Sequence, residues 1–90
     1  MKLSQMFDNA PDIEIGGLCI DSRKGKKNDM YFCMEGMVHD GHEFIDEVID
    51  KGAVCIVHTK PVENIRKGVA FIKVENVNNT LNILASKFYG

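Results

Sequence analysis

The chain reads as a small α/β sandwich, a mostly parallel or mixed sheet covered by helices. Three observations carry that reading. Residues 30–34, 53–57 and 69–74 are short, almost continuously apolar runs, the pattern of strands covered on both faces. Between the first two lies residues 42–51, where Phe44, Ile45, Val48 and Ile49 share one helical face; residues 30–57 therefore form a β-α-β unit, with a right-handed crossover expected. The final segment places Val77, Leu81, Leu84, Ala85 and Phe88 on a single face of a longer helix.

Each element has its local reason. Leu3, Met6 and Phe7 follow helical spacing and predict a short N-terminal turn that ends near Asn9-Ala10-Pro11. Residues 13–20 alternate loosely and read as a strand, with a bend or bulge at Gly16-Gly17. Gly52 follows the 42–51 helix, as expected of a C-terminal glycine cap. Asn76 precedes the last helix, where its side chain can accept a bond from a free amide of the first turn. Residues 1–90 read as a single domain, with no repeat and no linker.

Composition narrows the function. A formal charge of −2 and a pI near 5.8 argue against nucleic acid and membrane surfaces as partners, since both favour a basic stripe. Lys24, Lys26 and Lys27 cluster, but with Asp29 close by they read as a solvated loop. No run approaches the roughly 20 apolar residues of a membrane span, and Met1-Lys2-Leu3 leads into Ser4-Gln5 rather than into a signal peptide's apolar core. Cys19, Cys33 and Cys55 are far apart, lack a C-x-x-C pair and sit inside apolar runs, where cysteine acts as a small hydrophobe. A reduced, cytoplasmic protein is expected.

Ligands of open α/β sheets bind beyond the carboxyl ends of strands. Two such ends stand out: Ile20-Asp21-Ser22-Arg23, and the glycine-bracketed loop EGMVHDGHEF that begins at Glu35-Gly36 and enters a helix near Asp40-Gly41. Backbone amides at a helix start favour anions. The Ser22 hydroxyl can donate and accept, and Arg23 can hold a phosphate or pair with an acidic neighbour. A plain turn, with a capping serine and a surface ion pair, accounts for the same three residues. His39 and His42 invite a metal, yet H-x-x-H without further ligands falls short of a zinc set, and packing at a helix start is the simpler account. No G-x-S-x-G elbow supports a hydrolase triad around Ser22, and Lys24-Gly25-Lys26-Lys27 lacks the frame of a P-loop. No catalytic group is apparent.

The combination is more specific than its parts. An apolar strand ending in Asp21-Ser22-Arg23, Asp29, the strand MYFCM, Gly36, then Asp40-Gly41-His42, Phe44-Ile45 and Gly52-Ala53 before VCIV closely resembles the N-terminal domain of the Mur ligases over nearly the whole chain. The ending NVNNTLNILASKFYG looks most like the MurE group, which adds the third residue to UDP-N-acetylmuramoyl-L-alanyl-D-glutamate; the MurF group shares the Asp-Ser-Arg and Asp-Gly-His motifs. Where the family often has Pro-Gly-Asp, this chain has Lys27-Asn28-Asp29, and asparagine is the best non-glycine residue for a left-handed turn. Glu35, just before Gly36, puts a carboxylate where smaller residues are commoner, and Val48 stands where alanine is frequent.

The resemblance implies a domain that anchors the UDP end of a nucleotide-sugar. Ser22 would contact the diphosphate or uridine, Ile20 would line the site through its backbone, and Met37, Val38 and His39 would form the loop closing on the uracil. Asp21 and Arg23 would brace the corner, while Asp40, Gly41 and His42 would shape the turn and cap the next helix. The parent would be an ATP- and Mg²⁺-dependent ligase joining an amino acid to the substrate peptide, its central ATPase and C-terminal domains absent from this chain. This chain alone would hold no metal or cofactor and catalyse nothing. A free-standing nucleotide-sugar-binding module of the same fold is the alternative of a different class.

Overall fold

The computed structural model describes residues 1–63 and 65–90. Strands β1 (Gly17–Cys19), β2 (Asp29–Phe32), β3 (Cys55–His58) and β4 (Ala70–Lys73) lie side by side in chain order and are all parallel, so the sheet is not mixed. Its register sorts the apolar residues into rows. Leu18, Met30, Cys55 and Ala70 align across the sheet and face one core, as do Phe32, Val57 and Ile72. Cys19, Tyr31, Ile56 and Phe71 align one position later and face the other core. A slip of one residue would exchange the two sets, so burial on both faces holds the register.

The first core lies under helix α2 (Val77–Tyr89) and the N-terminal segment, whose Leu3, Met6 and Ile15 pack with Val77 and Leu84. The second lies under helix α1 (Ile45–Asp50), through Ile45 and Val48, with Val62 and Val69 of the β3–β4 connection at its border. Asn76 caps α2 as expected, its side chain accepting from the Asn79 amide at 2.9 Å. Gly52 follows α1 with φ of 109°, and an added Cβ would lie 2.7 Å from the Lys27 Cα. Asn28 has φ of 69°, the left-handed geometry expected of it in the Lys27-Asn28-Asp29 turn.

Two expectations change. Residues 13–20 do not form one strand. The amides of Leu3 and Ile15 pair with the carbonyls of Ile13 and Met1, and a single antiparallel bridge joins Lys2 to Glu14; only Gly17–Cys19 joins the sheet. The chain changes partner at Gly16, whose amide donates to the Asn28 carbonyl at 2.9 Å. Strand β4 is half-buried rather than covered on both faces, because it is an edge. Cys19, Cys33 and Cys55 are buried free thiols, and burial pushes Cys33 and Cys55 up to about 12. No helix among the described residues is long and apolar enough to cross a membrane. Because the strands are parallel, all four carboxyl ends emerge along one side, and the site candidates lie there.

Candidate functional site

Past β1, residues Ser22–Lys24 form a 3-10 turn. Its cap is Asp21, not Ser22: the Asp21 carboxylate accepts from the Arg23 amide at 3.0 Å and from the guanidinium through Nε at 3.1 Å and Nη2 at 2.9 Å. These hydrogen bonds from Arg23 hold the Asp21 carboxyl down to about 2. Arg23 and Asp21 therefore brace one another, as expected of the corner. The Cys19 thiol donates to the Asp21 carbonyl, and Lys51 Nζ donates to the Ser22 carbonyl at 2.8 Å, tying the corner to the end of α1. Ser22 is buried, yet its hydroxyl pairs with none of the described residues and lines the groove outside. Ile20, just before it, is 56% exposed.

Past β2, the chain makes a small hairpin. Glu35 and Asp40 pair as an antiparallel bridge, the Gly36 amide donates to the His39 carbonyl at 2.9 Å, and Met37 and Val38 form the tip. Both tip side chains are fully or almost fully solvated, at 106% and 84% exposure. His39 stands with its ring edge-on to Phe44, centroids 5.9 Å apart.

Asp40 and Gly41 fasten the base of this hairpin. The Gly41 amide donates to the Met34 carbonyl at 2.7 Å, and the buried Tyr31 hydroxyl donates to the Gly41 carbonyl at 2.9 Å. A Cβ on Gly41 would lie 2.7 Å from the Met34 nitrogen and 3.0 Å from the Tyr31 oxygen, so glycine is required by close approach. Asp40 caps the 3-10 turn Gly41–Phe44 that leads into α1, accepting from the His42 amide at 3.0 Å, while its carbonyl takes the Glu43 amide. This corrects one expectation: at that helix start the His42 and Glu43 amides are taken by Asp40 and the Gly41 amide by the Met34 carbonyl, so these three do not stand free for an anion. Burial pushes the Asp40 carboxyl up, but the Lys60 ammonium, the His42 amide and the His42 ring outweigh it and hold it well below the usual carboxylate range.

His42 uses both ring nitrogens. Nδ1 lies 2.6 Å from Asp40 Oδ1, and Nε2 lies 3.1 and 3.2 Å from the amides of Thr59 and Lys60. Glu35, Asp40 and His42 bring donor atoms within 4.8 Å of one another, the one such cluster among the described residues. Lys60 binds Asp40 from the same side and lies 3.9 Å from Glu35, so an ammonium already supplies the positive charge that an ion would bring.

The two strand ends meet. An open groove of about 570 Å³ is lined by Ile20, Ser22, Tyr31, His39, Phe44 and Glu47, among others, with Met37 and Val38 standing beyond its rim. A larger hollow of about 990 Å³ follows the outer edge of β1 past Gly16 and Lys27, and neither Ser22 nor the hairpin tip lines it. The smaller groove is the better candidate, because it joins an unpaired hydroxyl to apolar and aromatic walls. Tyr31, Phe44, Thr59 and Lys60 were not among the sequence candidates. Phe44 and Tyr31 carry core-type signals that hide a second duty, and Thr59 and Lys60 lie in a loop with no motif of their own.

The family model "Mur ligase family, catalytic domain" matches residues 14–89. The UDP-N-acetylmuramoyl-L-alanyl-D-glutamate–2,6-diaminopimelate ligase of Clostridium tetani is 44% identical over 81 residues, covering 88% of this chain and 17% of its own length. The ligase of the same name from Alkaliphilus metalliredigens is 37% identical over 98 residues, 100% of this chain and 20% of its own. This chain thus spans about a fifth or less of these relatives. Among solved structures, MurF from Acinetobacter baumannii superposes with a TM-score of 0.75 at 23% identity, over 93% of this chain and 19% of that one, a likeness of fold. MurF ligase from Thermotoga maritima, solved with ADP, superposes with a TM-score of 0.70 at 27% identity, over 87% of this chain and 18% of that one.

Proposed function

The chain belongs to the Mur ligase family, and from that premise we propose that it is the N-terminal, substrate-anchoring domain of a MurE-type ligase. Its ligand in this reading is the UDP end of UDP-N-acetylmuramoyl-L-alanyl-D-glutamate. The observation that carries the proposal is the groove itself, where the free Ser22 hydroxyl at one strand end faces a wall formed by the loop of the next. Ser22 donates to a phosphate or uracil oxygen. Ile20 and His39 flank the base, and the Met37-Val38 tip folds over it and excludes water. Asp21 and Arg23 hold the corner rigid, and Asp40, Gly41 and His42 hold the hairpin.

The parent's reaction, in this reading, joins an amino acid to the substrate peptide with ATP and Mg²⁺ in the cytoplasm. In this reading ATP is held outside this chain. Lys24-Gly25-Lys26-Lys27 is no phosphate cradle, because the Lys26 amide donates to Asp29 Oδ2 at 2.8 Å rather than standing free for an anion. Nucleotide activation and the metal belong to the remaining domains, and this chain by itself catalyses nothing. Its task is to hold one end of a long substrate so that the reacting carboxylate is presented elsewhere. The names of the curated relatives favour the MurE over the MurF assignment.

Titration of the labelled chain with UDP, then with UDP-N-acetylmuramoyl-L-alanyl-D-glutamate, tests this. Saturable amide shifts are expected at Ile20, Ser22 and residues 37–39. Ser22→Ala should weaken binding about tenfold, the value of one hydrogen bond to a charged oxygen. Shifts confined to the outer edge of β1, or Ser22→Ala binding as tightly as the parent chain, would reject the groove. Tighter binding of the tripeptide than of the dipeptide substrate would favour a MurF-type domain. A chain that binds these nucleotides but belongs to no ligase would be the free-standing module.

A further inference from the structure

Resting on the nucleotide-sugar reading above, we infer that His42 is a positioning residue, a neutral latch that fastens the 35–40 hairpin to the start of the β3–β4 connection. Its two ring nitrogens face groups of opposite kind. Nδ1 faces Asp40 Oδ1 at 2.6 Å, a carboxylate held ionised by Lys60, which can only accept. Nε2 faces two backbone amides, Thr59 at 3.1 Å and Lys60 at 3.2 Å, which can only donate. One proton satisfies all three contacts, and it sits on Nδ1. The opposite tautomer would set a lone pair against the carboxylate and an N–H against two N–H groups.

The ring thereby joins the hairpin and the turn that follows it to a segment 17 to 18 residues further along the chain. Asp40 closes the hairpin against Glu35, His42 opens the turn into α1, and Thr59 and Lys60 leave β3. The Lys60 side chain returns to Asp40 and closes a ring of contacts, with Glu35 3.9 Å from its ammonium and the His58 imidazole edge-on to His42 at 6.5 Å. The His42 side chain is 11% exposed, so water does not readily replace the Nε2 acceptor. Between Glu35 and His39, the other ties to another strand end among the described residues are two long contacts of the Glu35 carboxylate, with Thr59 Oγ1 at 3.5 Å and with the Lys60 ammonium at 3.9 Å. The latch therefore sets how the hairpin stands beside the groove, with His39 in its wall and Met37 and Val38 beyond its rim.

The test needs no ligand at first. Long-range ¹H–¹⁵N spectra of the imidazole at neutral pH should show a protonated Nδ1 and a bare Nε2. His42→Asn, which keeps a donor toward Asp40 and loses the acceptor, should speed amide exchange at Thr59, Lys60 and Gly36 about tenfold. His42→Gln, which returns an acceptor near the Nε2 position, should restore part of that protection. UDP should bind His42→Asn about five- to tenfold more weakly than the parent chain, with His42→Gln in between. An Nε2–H tautomer, or unchanged exchange in His42→Asn, overturns the latch. Faster exchange with unaltered UDP affinity overturns its positioning role. If the expected tautomer and exchange appear while the parent chain binds no UDP, the latch stands and the nucleotide reading fails.

Discussion

The corner at residues 21–23 and the hairpin at 35–42 lie at neighbouring strand ends, yet they are held in opposite ways. The corner is local: Asp21 caps the turn and grips Arg23 two residues on, and among the described residues only Lys51 donates a hydrogen bond to it from afar. The hairpin is held from outside, by Tyr31 beneath Gly41 and by Thr59 and Lys60 against Asp40 and His42. One loop is stiff because of its own residues, and the other because of its place in the sheet. Under the proposed function, the first loop supplies a fixed hydroxyl and the second a wall whose position depends on a third strand end.

The strongest way to break this contrast is Gly41→Ala. The new methyl would overlap the Met34 backbone, which cannot yield as a side chain could, so a loss of roughly 2–3 kcal/mol is expected in urea denaturation. A loss below about 0.5 kcal/mol, the level of an ordinary surface substitution, would mean that the hairpin base is far looser than the distances imply. Tyr31→Phe comes next. It strips the Gly41 carbonyl of a buried partner and should cost about 1–2 kcal/mol, with exchange rising at the hairpin while the 21–23 corner stays unchanged.

Acid sharpens the same comparison. The Asp21 and Asp40 carboxyls both lie below the ordinary value of 3.8 in the folded chain. Their contribution to stability is therefore complete above that value and is lost as pH falls through it toward the folded values, about 2 for Asp21. Asp40→Asn should flatten the acid limb of a stability–pH curve more than Asp21→Asn, because Asp40 joins three segments whereas Asp21 pairs within its own turn. Equal flattening would erase the distinction. The smallest effect on stability belongs to the tip: Met37→Ser with Val38→Ser should stay within about 0.5 kcal/mol of the parent chain, since both side chains already face water. UDP affinity should nevertheless fall several-fold under the proposed function, in which this tip covers the base.

Much of the fold was legible because its signals are short-ranged. Asn76 caps α2, Gly52 and Asn28 take left-handed geometry, and the apolar runs at β2 and β3 are buried on both faces. The split of residues 13–20 between two partners was harder to see: the Gly16-Gly17 bend is visible, but the pairing of its first half with the N-terminal segment is not. At Ser22 the sequence left two accounts open, a ligand contact and a plain turn with a capping serine. A serine beside a turn suggests a cap, and only the side-chain directions show that Asp21 caps while the serine hydroxyl remains free.

By itself, then, the sequence determined the element types, the caps, the two candidate strand ends and the Asp21–Arg23 brace, all of which depend on residues within a turn or two of one another. Tertiary structure alone decided that the sheet is wholly parallel, that both loops open on one groove, and that His42 and Asp40 meet Thr59 and Lys60 across 17 to 20 residues of chain. The physical reason is the crossover. Parallel strands bring every carboxyl end to the same side of the sheet, and partners that meet there share neither a helical period nor a turn.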